Sequence, residues 1–75
     1  MTDILTNEEK IDIINSHKKN IAFNEFNLQI TLVEENSKSN PNETTVNNLN
    51  NQITDVQNQL SVLDAEIQKL TIVNQ

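Results

Sequence analysis

Cysteine, glycine, tryptophan and tyrosine are absent from this 75-residue chain, and proline occurs once. Without cysteine there are no disulfides and no thiolate metal sites, and the lone His17 cannot build a metal cluster unaided. Without glycine the chain lacks the residue that most readily supplies a positive φ, and with it the usual β-hairpin turns. Helices joined by few turns are the expected result. Basic residues are also scarce, 5 Lys and Arg against 11 Asp and Glu for a net charge of −6. No basic run is present to neutralise a phosphate backbone, so no nucleic-acid partner is expected. The longest apolar stretches, such as Leu32-Val33 and Ile72-Val73, fall far short of the roughly 20 residues that span a bilayer. No basic segment followed by an apolar one opens the chain as a secretory signal would. The expectation is a soluble protein without a membrane partner.

Asparagine is abundant, at 14 residues, although it is a mediocre helix former that prefers caps and turns. An apolar periodicity runs straight through the Asn-rich region, which assigns most of these amides to solvated helix faces. Thr6-Asn7-Glu8-Glu9 reads as a capping box, with Glu8 and Glu9 at the positive end of a helix dipole. After an N-terminal extension over 1–6, a first helix is expected over 7–35. The polar cluster Asn36-Ser37-Lys38-Ser39-Asn40 then predicts a turn over 36–40. Pro41 suits the first position of a second helix, with Asn40 as its cap and Glu43 three residues on, and this helix is expected over 41–73. Helices of nearly equal length joined by a short connection predict an antiparallel two-helix hairpin within a single domain.

The second helix carries the strongest pattern. Val46, Ile53, Leu60 and Ile67 occupy a positions of four uninterrupted heptads, and Leu49, Val56, Leu63 and Leu70 occupy the d positions. A sustained 3.5-residue repeat predicts an all-α coiled coil, supercoiled against at least one partner helix. The flanking e and g positions are mostly uncharged, as in Asn50, Gln52, Gln57 and Gln59, with Asp64 and Glu66 the exceptions. Ion pairs therefore contribute little to partner choice.

The first helix is less regular. Ile11, Ile14, Ile21, Leu28 and Leu32 form its seam, while Lys18 and Glu25 take two a-type places and are expected to snorkel at the margins. A closed hairpin sets Leu28 near Leu49, Ile21 near Val56, Ile14 near Leu63 and Ile11 near Ile67. A second apolar line, Phe23, Phe26, Ile30 and Val33, is turned by roughly 100° or more from the first. One hairpin partner cannot cover both, so this line, with both aromatic residues of the chain, predicts a second contact surface near the tip. Ile4, Leu5, Ile72 and Val73 make a further apolar group at the chain ends.

No constellation for catalysis emerges. Ser16 and His17 diverge on a helix, Glu8-Glu9 and Glu34-Glu35 read as a cap and a solvated face, and Asp3, Asp12, Asp55 and Asp64 lack calcium-loop spacing. No enzyme, cofactor or metal is expected. A core this small rarely supplies more than roughly 3–5 kcal/mol alone, which points to a homo-oligomer or to embedding among other protein subunits. A free-standing coiled-coil adaptor or inhibitor docking a host protein through Phe23 and Phe26, in the cytoplasm, is the alternative. An acidic DNA mimic fits less well, because the carboxylates are dispersed around both helices.

The segment LTNEEK from Leu5 to Lys10, the turn segment EENSKSNPNETTV from Glu34 to Val46 and the C-terminal heptads carry a resemblance. Together they make the chain similar to small uncharacterised α-hairpin proteins of tailed phages from AT-rich marine bacteria. The resemblance covers the whole chain and implies a multi-copy virion component of head, neck or tail that packs against larger subunits. It brings no functional residues with it.

Overall fold

The computed structural model describes residues 4–72, with side chains through residue 71. Val73, to which the sequence carries the second helix, and the side chain of Ile72 lie outside the described residues. Two helices, α1 over Asn7–Asn36 and α2 over Glu43–Ile72, run antiparallel, and no strand occurs among the described residues. Each has 30 residues, about 45 Å of helix, and the molecule measures 57 × 21 × 14 Å.

The start of α1 is set by Thr6. Its hydroxyl accepts from the Glu9 amide at 3.0 Å, and the Glu9 carboxylate accepts from the Thr6 amide at 2.8 Å. Two of the donors a helix N-terminus leaves unpaired are thereby satisfied. At the other end Ser37 closes α1 in a right-handed conformation, its amide reaching the Val33 carbonyl at 3.0 Å and its hydroxyl donating to the Glu34 carbonyl at 2.8 Å. No residue with positive φ occurs among the described residues, so the reversal is made without a left-handed backbone.

Glu35 corrects the expected solvated face. It is the one charged side chain buried among the described residues, and its carboxylate accepts from the Asn42 amide at 2.9 Å and from Lys38 Nζ at 2.9 Å. These donors, with the Asn42 amide first, hold its carboxyl below the ordinary carboxylate value, while burial opposes them.

The start of α2 differs from the expectation at Pro41. Asn42, not Asn40, is the cap, its Oδ1 accepting from the Thr45 amide at 3.0 Å, and the helix begins at Glu43. Across the turn Glu35 takes the Asn42 amide, one of the donors that a helix start leaves unpaired. Pro41, one place before the cap, still acts by keeping Asn40 out of helical conformation. Thr45 therefore occupies the position expected for Glu43.

The register of the pair is marked at both ends. Asn7 donates to the Leu70 carbonyl at 3.3 Å near the termini, and Glu35 holds Asn42 at the tip. Both bonds belong to one register, in which Leu28 lies level with Leu49 and Ile21 with Val56. The apolar core between the helices is thin. Only Leu49 (7% exposed) and Val56 (6%) are buried hydrophobic residues among those described, and Leu60, Leu63, Ile67 and Leu70 remain half-covered.

Candidate interaction surfaces

Three sectors of the hairpin surface follow from where successive side chains emerge on α1, each residue being turned by 100° from the last. Ile14, Ile21, Leu28 and Leu32 face α2 and are half-buried, as is Ile11. Lys18 and Glu25 stand at one margin of that seam. Ile13 and His17 stand at the other.

The first margin is polar and bridged. Lys18 forms an ion pair with Asp64, and the Glu25 carboxylate accepts from Gln57 at 3.0 Å across the helices and from Gln29 at 3.2 Å within α1. These bonds reach several residues along the axis because side chains lean toward the N-terminus of their own helix, which in an antiparallel pair means in opposite directions. Two breaks in the α1 heptad thereby become its lateral clasps.

Past that margin, on the outer flank of α1, lies the second apolar line. Phe23 (72% exposed) and Phe26 (62%) are joined by Ile30 and Val33, which are exposed as well. Their spacing of three, four and three residues places them in one stripe, and α2 is too far around the helix to cover it. The interval from Ala22 to Val33 carries no charge within this stripe, since Glu25 points to the seam margin and bonds there. Nothing in the hairpin itself accounts for two phenyl rings in water at this density.

The opposite margin is different again. Two shallow grooves open there in the half of the molecule nearer the termini. One, of about 390 Å³, is lined by His17, Ile21, Asn58, Gln59, Val62 and Leu63. The other, of about 530 Å³, is lined by Leu5, Ile13, Ile14 and Leu70, with Lys10, Glu66 and Lys69 at its rim. Sequence reading passed over both, because Ile13 and Val62 sit off the heptad pattern; an isolated apolar residue beside a regular stripe was the available signal. Glu66 and Lys69 pair with each other at 2.9 Å on this rim. Ile4 is fully open to solvent beside it.

Neither groove encloses a volume from which water is excluded, and the carboxylates and His17 do not converge in either. Among the described residues no three His, Asp or Glu side chains are grouped so as to hold a metal ion, and no helix is long and apolar enough to cross a membrane. Among the described residues no buried polar side-chain atom is left without a hydrogen bond. Neither protein-family models nor curated proteins nor solved structures match this chain.

Proposed function

We propose that this hairpin is a non-enzymatic packing element, a small structural protein that docks on larger protein subunits through Phe23, Phe26, Ile30 and Val33. The single observation behind this reading is the exposure of that stripe on a helix whose other face is already engaged. Four large apolar side chains in a row, free of charge and centred on two aromatic rings, match the composition of interface cores. The a and d residues of α2 serve a separate task in this reading. They form the coiled-coil seam that holds α1 rigid, so that the stripe is presented on a preformed helix.

The resemblance of the LTNEEK segment, the turn and the heptads to phage hairpin proteins supplies the setting, a virion in which many copies fill contacts between larger subunits. A photo-crosslinking residue placed at Phe26 in the producing cells tests both levels. Docking through the stripe predicts a crosslink from position 26 to one larger protein and none from the solvated position Asn47. A virion role further predicts that the crosslinked product sediments with intact particles. A product confined to the soluble fraction would replace the virion by an adaptor or inhibitor of a host protein, and the absence of any crosslink at 26 would overturn the docking surface.

A further inference from the structure

The seam between the helices leaves open which copy of α1 a given α2 packs against. We infer that the bond from the Asn42 amide to the Glu35 carboxylate decides it, holding α2 on its own α1 against exchange with the α1 of a second copy. Without that bond the hairpin becomes a swapped dimer, two extended chains side by side with each α1 paired to the other's α2.

The seam cannot discriminate between the two arrangements, because both use the same residues. Leu28 meets Leu49 and Ile21 meets Val56 whether the helices belong to one chain or to two. The links beside the seam recur as well: Lys18 with Asp64, Gln57 with Glu25 and Asn7 with the Leu70 carbonyl join α1 to α2 wherever α2 comes from. The bonds that finish each helix are local to it, Ser37 closing α1 on Val33 and Glu34, and Asn42 capping α2 on Thr45. The bond from Lys38 to Glu35 is also local, made three residues along the chain. Among the described hydrogen bonds, the one from the Asn42 amide to Glu35 is alone in requiring that the turn be closed.

The turn itself offers no resistance to straightening. None of its residues has a positive φ, so an extended path over 37–41 needs no glycine and meets no steric bar. Pro41 already biases Asn40 toward extended backbone. Straightened, this segment spans roughly 16–18 Å, which carries the chain clear of the end of α1 into a collinear α2. Exchange of identical elements in this way creates no new surface. Each dimer opens two turns, so the loss of the bond counts twice in its dissociation constant. The Phe23 stripe, on the outer flank of α1, takes no part in the exchange.

Light scattering over a concentration series at neutral pH, with circular dichroism on the same samples, tests the exchange. Wild type is expected at 8.6 kDa, the mass of one chain, at concentrations far below the roughly millimolar effective concentration of its own partner helix. Glu35→Ala removes the acceptor and Asn42→Pro removes the donor. Each should lower the concentration of half-dimerisation by about tenfold or more, with helicity retained in the dimer. Asn42→Ala keeps the amide and loses only the cap, so it should stay at the mass of one chain alongside wild type. X-ray scattering should give the dimer about twice the 57 Å length of the hairpin. The inference is overturned if Glu35→Ala and Asn42→Pro both remain at the mass of one chain, folded or unfolded, if wild type or Asn42→Ala dimerises as readily as they do, or if the dimer is no longer than the hairpin.

Discussion

The tip half and the terminal half of this hairpin carry the same heptad and yet finish differently. Near the tip, Leu49 and Val56 are buried, the polar margin is clasped by Glu25 and Gln57, and the apolar excess lies outside the seam, on the outer flank of α1. Toward the termini, Leu63 and Leu70 occupy equivalent d positions but line open grooves, and the excess lies along the seam itself. A heptad thus says which residues seek cover without saying how much one partner helix provides. Each half has two described polar links between its ends of the chain: Glu25–Gln57 and the Glu35 carboxylate spanning the turn near the tip, the Lys18–Asp64 pair and the Asn7 bond to Leu70 toward the termini, so the difference lies in apolar cover.

The comparison can be broken most directly at its apolar centre. Leu49→Ala should cost about 2–5 kcal/mol, enough to unfold a hairpin of this size, whereas Leu63→Ala, starting from a half-covered site, should cost clearly less. Thermal melts followed by circular dichroism will show the order, and equal losses would mean that the two halves are equally packed.

Next comes the carboxylate at the tip. Glu35→Ala should lower Tm at neutral pH by releasing the Asn42 amide and Lys38. Folding lowers the Glu35 value, so its contribution is complete above the ordinary Glu value of about 4.3 and is lost as the pH falls through the lower folded value. The Tm difference between wild type and Glu35→Ala should therefore shrink below about pH 4. A difference that persists unchanged in acid would remove the ionised carboxylate from the explanation.

The caps should respond more weakly and locally. Thr6→Ala and Asn42→Ala are each expected to cost about 1 kcal/mol. Amide hydrogen exchange should quicken at Glu9 and Lys10 in the first variant and at Thr45 and Val46 in the second, and a spread of the effect along the whole helix would contradict local capping. The smallest effect belongs to the Lys18–Asp64 pair, which is partly exposed. Asp64→Asn should cost about 0.2–1 kcal/mol, and this loss should fade in high salt.

Much of the architecture was legible before any coordinates. The box at Thr6, the α2 heptads and the broken but recognisable seam of α1 all depend on residues within a few turns of one another, where periodicity is a direct reading of geometry. What escaped lies between segments. Glu35 looks like any second glutamate on a helix surface until Asn42 comes back across the turn, and α2 starts two residues later than expected, where Asn42 caps Thr45. The exposure of Phe23 and Phe26 followed from angle alone. The grooves did not, because their shape depends on how two helices lie side by side at Ile13 and Val62, and no one-dimensional pattern contains that distance.

A reversal held by a side chain and not by a left-handed backbone leaves an unusual pattern of mutational freedom. A glycine turn cannot give up its glycine, but it is indifferent to the amino acids around it. Here the apex residues Ser39 and Asn40 are open to wide substitution, while the constraint sits on Glu35, inside a helix, and on Asn42, beyond the turn. What Glu35 holds is a backbone amide, which any residue but proline supplies, so position 42 answers instead to its capping of Thr45, and the two positions can vary independently while the hairpin keeps its closure.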